Sequence, residues 1–209
     1  MSPTNPAGQI PPQVIYMIRH GEKPNSPTVP PLGIDEVGRP DFHSLIPTGW
    51  ARAGGLAALF GPKNRRPGIQ RPDRLYSPSY GSTPHTQAHR THQTIAKLSE
   101  RLNTPIVSSY PVGQEAQAIA EVMSSGPGTV LICWEHVGIA SLAKALPLAP
   151  GTTIPVWPGN RFDVIYRFDS QTLPNGSVQY GLTQLTQRIL SGDLKTPITT
   201  GPSSGITVA

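Results

Sequence analysis

Val14-Ile15-Tyr16-Met17-Ile18 runs without interruption into Arg19-His20-Gly21-Glu22-Lys23, and Val130-Leu131-Ile132-Cys133-Trp134 runs into Glu135-His136-Val137-Gly138. Each is an unbroken apolar run of strand length, the pattern of a strand buried on both faces of a parallel sheet. In open α/β sheets, ligands bind beyond the carboxyl ends of the strands. The two runs therefore predict two histidines, the first preceded by an arginine, where such a fold keeps its site.

The rest of the chain alternates in kind. After the first strand, Lys23 to Pro47 is a Pro/Gly-rich loop with no sustained period, of the sort that shapes specificity over a site. Thr48 is the expected N-cap of a helix over 50–60, ended by Gly61-Pro62. A weak strand over 74–77 precedes a helix from about 86 to 102, with Ile95, Leu98 and Leu102 on one side. A short strand at 106–109, a helix at 114–123, the strand at 129–134 and a helix at 139–146 follow. Residues 162–168 and 177–182 form a hairpin with Asn175-Gly176 in the connection. Strands alternating with helices predict a single-domain, three-layer α/β/α fold with a mainly parallel central sheet. That domain is expected over 13–190, between flexible tails at 1–12 and 191–209.

Composition narrows the class. The 209 residues contain 25 Pro and 21 Gly, so much of the chain must be loop. No apolar stretch reaches the length of a membrane span, and the polar, proline-rich start lacks the pattern of a signal peptide. The single cysteine fits a reducing compartment, and a cytoplasmic location is the expectation. The net charge of +5 permits an anionic ligand. The basic residues are dispersed, however, and Lys63-Asn64-Arg65-Arg66 reads as a solvated loop rather than a nucleic-acid site. Asn175-Gly176-Ser177 matches a glycosylation acceptor but reads as a turn.

The chemistry lies at the strand ends. A neutral imidazole at His20 is a competent nucleophile. Arg19 offers a permanent charge and forked donors suited to phosphate, and Gly21 permits close approach of backbone to ligand. Phosphoryl transfer needs mainly positioning and neutralisation of the equatorial oxygens. Arg90, in the first turns of the 86–102 helix, can add charge beside free amide groups. His136 can donate to the same oxygens, and Lys23 is close enough in sequence to join them.

In order along the chain, Arg19-His20-Gly21-Glu22, Pro47-Thr48-Gly49-Trp50-Ala51-Arg52-Ala53, Arg90-Thr91-His92-Gln93-Thr94 and Glu135-His136-Val137-Gly138 resemble the motifs of the histidine phosphatase superfamily. The resemblance spans roughly residues 14–168. It implies a phosphoglycerate mutase-like fold and a phosphatase that works through a phosphohistidine on His20, without a metal or cofactor. Arg19, Arg90 and His136 would form the phosphate pocket, and Lys23 stands where the acid-phosphatase branch usually has a second arginine. The implied partner is a phosphorylated small molecule. A mutase-like phosphotransferase and a non-catalytic phospho-ligand module are the alternatives.

The proton donor departs from both branches of that superfamily. Val137 follows His136 where the acid-phosphatase branch has an aspartate. Glu115 is at a suitable distance after Arg90 for the mutase pattern, but its surroundings differ. Glu135 is the preferred candidate, because a charge beside a buried strand end is otherwise costly. Glu115 is the second candidate, and Glu22 is read as a structural partner of the loop. His85, His89 and His92 imitate a metal face at helical spacing, yet Thr86 replaces the expected glutamate and Arg90 sits among them. They are read as rim or solvent-facing histidines. Cys133 is read as a core thiol, and Trp134 and Trp157 as packing or pocket walls.

Overall fold

The computed structural model describes residues 10–63, 66–81 and 86–199. Ten elements follow one another: β1 (Val14–Arg19), α1 (Pro47–Leu59), β2 (Arg74–Tyr76), α2 (His89–Leu102), β3 (Ile106–Val107), α3 (Glu115–Ser124), β4 (Thr129–Trp134), α4 (His136–Ala145), β5 (Val164–Thr172) and β6 (Val178–Thr186). The strands form one sheet in the order β3-β2-β4-β1-β5-β6. β1, β2, β3 and β4 pair in parallel, while β5 and β6 add an antiparallel edge. The expectation of a mainly parallel α/β sheet agrees with this arrangement.

The unbroken apolar runs are explained by layering. On β1, Ile15 and Met17 enter one core while Val14, Tyr16 and Ile18 enter the other. On β4, Val130, Ile132 and Trp134 face the first core, and Leu131 and Cys133 the second. Ile119 and Val122 of α3, with Ile139 and Leu142 of α4, cover the first face. Leu56 of α1 and Ile95, Leu98 and Leu102 of α2 cover the second. Both strand faces are therefore dry, and alternation of polar and apolar residues has no place there. Each fully buried Ile or Leu contributes roughly 1.5–3 kcal/mol of transfer free energy.

Several local expectations are corrected. α1 starts at Pro47 with Ile46 in the N-cap position, so Thr48 lies inside the first turn and does not cap. Pro47 opens the helix because a first-turn residue needs no amide hydrogen and proline's φ is already helical. α2 begins at His89 after a turn over 86–88, and α4 begins at His136, three residues earlier than its apolar pattern suggests. The hairpin is longer than expected, and its connection closes through Leu173 N–H to Ser177 O, with Gly176 at φ 82°.

The tail expected from Ser191 is packed over 191–199. Asp193 pairs with Arg52, Leu194 N–H donates to Asp163, and Ile198 enters the first core. Polar and turn-forming residues there satisfy buried partners, which composition alone does not reveal. Arg66 is likewise tied down, donating to the carbonyls of Thr186 and Gln187, so that part of the basic loop is not simply solvated. Residues 64 and 65, His85, the N-terminal residues 1–9 and the segment from 200 onward lie outside the described residues.

Candidate active site

β1 and β4 are neighbours in register, with Arg19 opposite Trp134. The two sequence motifs therefore meet: His20 N–H donates to Trp134 O at 3.2 Å. His20 is 4% exposed, and its Nδ1 lies 2.7 Å from Gly21 O. A carbonyl only accepts, so in this contact Nδ1 carries the proton and Nε2 keeps its lone pair. Burial, then the positive charges of Arg19 and Arg90, push the imidazole pKa down to about 3. The ring is neutral at physiological pH.

Arg19 is fully buried. Its Nη1 donates to Gly159 O at 2.6 Å and Arg161 O at 3.2 Å, and its Cζ sits 3.9 Å from the centroid of the Phe162 ring. Its Nε is buried without a partner, which leaves a donor edge for an anion. Burial lowers its pKa to about 10, with Glu22 and Glu135 acting the other way, so it stays charged at neutral pH.

Arg90 arrives from the first turn of α2. Its Nη2 donates to Phe42 O at 2.5 Å, and its Nε is also buried without a partner. Thr94, one turn later, links this helix to the loop after β1: it accepts from Gly21 N–H at 2.8 Å and donates to Arg90 O at 2.7 Å. Gly21 has a structural reason beyond ligand approach. A Cβ there would lie 3.0 Å from Gly49 O, and a Cβ at Gly49 would lie 2.4 Å from Glu22 O. The two glycines let the loop pack on the start of α1.

His136 occupies the first position of α4, half-buried, with its Nε2 facing Gly159. Burial and the charges of Arg19 and Lys23 lower its pKa. Lys23 is half-buried, and burial followed by Arg90 and Arg19 lowers its own pKa. Arg19, His20, Lys23, Arg90 and His136 thus share one electrostatic neighbourhood.

Glu135 lies in the same field. Burial raises its carboxyl pKa, Arg90 and Arg19 pull it back, and Glu115 pushes it further up. Glu115 is occupied: Oε1 accepts from Trp134 Nε1 at 3.1 Å and from Gly113 N–H at 2.9 Å. Glu22 is the structural partner its sequence position suggests, clamped by Arg52 at 2.6 Å. Arg52 also reaches Asp193 and Gln187.

Other candidates fall to the rim or the core. His89 is buried rather than solvent-facing, because its Nε2 meets Glu36 at 2.8 Å and the Tyr80 ring packs against both it and the partly buried His92. Among the described residues, no group of three His, Cys, Asp or Glu side chains could hold a metal ion. No helix among them is long and apolar enough to cross a membrane. Cys133 is buried, and burial drives its thiol pKa well above the usual range. Trp134 packs in the first core, as does Trp157, which donates to Arg161 O.

The sequence alone assigns no role in the site to Phe162, Phe42 or Thr94. Phe162 follows Trp157-Pro158-Gly159-Asn160-Arg161, a Pro/Gly-containing turn leading into a strand, and that is the one signal that could have drawn attention to it. Phe42 carries no distinguishing pattern, and Thr94 stands at the end of the Arg90–Thr94 motif with no role assigned to it.

Neither a protein-family model nor a curated protein matches the sequence. Among solved structures, the chain is similar to a mycobacterial glucosyl-3-phosphoglycerate phosphatase, with 14% identity and a TM-score of 0.45 over 82% of this chain and 97% of that one. It is also similar to a protein assigned as the phosphohistidine phosphatase SixA of Agrobacterium tumefaciens, with 14% identity and a TM-score of 0.41 over 82% of this chain and 95% of that one.

Proposed function

We propose that the protein is a histidine phosphatase that hydrolyses a small phosphorylated molecule through a phosphohistidine on His20. The observation that carries this reading is the meeting of a buried, neutral imidazole with two arginines whose Nε donors are buried and unpaired. Such an arrangement suits a tetrahedral anion carrying charge on several oxygens.

In the first step, His20 Nε2 attacks phosphorus and the bond to the leaving oxygen breaks. Arg19, Arg90, His136 and Lys23 neutralise the non-bridging oxygens. Glu135, whose carboxyl is held above the ordinary range by burial, gives its proton to the leaving oxygen. In the second step, the Glu135 carboxylate takes a proton from water as the water oxygen attacks the phosphohistidine. The P–N bond breaks, phosphate leaves, and both residues return to their starting states. Glu115 is better employed holding Trp134 than moving a proton.

The test is turnover of an aryl phosphate by wild type and His20→Ala at matched folding. Loss of phosphate release in the variant is expected. Undiminished release would overturn the mechanism.

A further inference from the structure

We propose that Phe162 is a positioning residue, its ring setting the plane of the Arg19 guanidinium and the tilt of the His20 imidazole. This deepens the phosphatase reading and rests on it.

Nη1 of Arg19 is held by the carbonyls of Gly159 and Arg161, which fixes one corner of the guanidinium. One fixed corner leaves the plane free to swing, and with it the unpaired Nε edge. The Phe162 ring blocks that swing, because Arg19 Cζ stands 3.9 Å from its centroid. A cation over an aromatic face is attracted to it and gains more when the pair is desolvated. The same ring lies 6.0 Å from the His20 ring, tilted by 59°. One side chain therefore touches both the anion clamp and the nucleophile.

The backbone of Phe162 is fixed independently of its ring. Its carbonyl accepts from Gln187 Nε2 at 2.8 Å, and Gln187 is itself gripped by Arg52. Trp157 and the Arg161–Asp163 pair brace the preceding turn. Changing the ring should leave the path of the loop intact, so geometry and folding can be separated.

The experiment compares wild type, Phe162→Leu, Phe162→Met and Phe162→Tyr by vanadate binding, by kcat and KM on an aryl phosphate, and by thermal midpoint. Leu and Met keep apolar bulk without a ring face, whereas Tyr restores the face. The expected result is a loss of about ten- to thirtyfold in vanadate affinity and in kcat/KM for Leu and Met at near-native melting, with Tyr within threefold of wild type. If Leu does not fold, Met carries the same expectation. Vanadate affinity and turnover unchanged in the folded ringless variants, or Tyr no better than they are, would overturn the inference and leave the phosphatase reading standing. Wild type that neither binds vanadate nor releases phosphate would overturn both.

Discussion

Arg52 and Glu22 form a two-pronged ion pair: Nε of Arg52 lies 3.0 Å from both carboxylate oxygens and Nη2 lies 2.6 Å from one of them. The pair ties α1 to the residue two positions after His20. Arg52 is 2% exposed and also holds Asp193 of the C-terminal segment at 2.7 Å. One buried cation thus fastens the loop after β1, α1 and the segment around Asp193 together.

Arg52→Met is expected to be strongly destabilising, by about 3–5 kcal/mol, because it strands the buried Asp193 and half-buried Glu22 carboxylates without their counter-ion. Urea denaturation measures this. A change under 1 kcal/mol would show that the carboxylates find water or other donors.

Asp193 adds an acid-labile component. Burial by itself would raise its pKa, but the Arg52 hydrogen bond and the Ile189 and Leu190 amides outweigh it, and the net shift is downward. A folded pKa below the unfolded one means stability that is present above the unfolded pKa and lost as pH falls through the folded value. Asp193→Asn should therefore lower stability at pH 7 and flatten its decline below about pH 4. Parallel decline of variant and wild type in acid would contradict this.

His20 works in the same direction at higher pH. Its folded pKa of about 3 lies below the ordinary 6.5. The unfolded chain takes up a proton as pH falls below 6.5, whereas the native state resists protonation until near pH 3, so stability drops across that window. His20→Asn removes this contribution. Its stability should fall less than that of wild type between pH 6.5 and 3, measured by denaturation at each pH, with His136 leaving part of the slope in place.

Glu135→Gln should separate substrates by leaving group. Loss of a general acid costs roughly 10²–10⁴-fold where the leaving oxygen needs a proton. Alkyl phosphates should suffer a loss of that order and nitrophenyl phosphate much less. An equal, small effect on both would remove Glu135 from the proton path.

Gly49→Ala places a methyl group 2.4 Å from Glu22 O and 2.9 Å from Glu22 N. The Glu22 backbone cannot yield as a flexible side chain can, so a destabilisation of about 1–3 kcal/mol is expected. Turnover should fall with it, since the displaced residue is two positions from His20. Thermal melting and kcat on the same preparation check both effects.

The strands, the four helices to within about three residues, and the placement of Arg19 and His20 at the carboxyl end of β1 were readable because each leaves a local pattern. A strand buried on both faces must be continuously apolar, and α2 must repeat its apolar residues every three or four positions. Where local pattern misled, a competing rule had won. Proline's fixed φ opened α1 ahead of Thr48, and α4 began at His136, with an exposed Val137, before its buried apolar face started at Ile139.

The sequence by itself determined an α/β layering and the chemistry available at two strand ends: an imidazole, an arginine beside it, and a second histidine next to a carboxylate. Tertiary structure alone decided that β1 and β4 lie side by side in register, which turns two distant motifs into one site. It also decided which glutamates are occupied, Glu22 by Arg52 and Glu115 by Trp134, and that 191–199 packs against the domain. The physical reason is the range of the interactions. Apolar periodicity reports contacts a few residues apart, whereas strand order, ion pairing and the pose of Phe162 over Arg19 join residues about 30 to 140 positions apart, for which the chain carries no local mark.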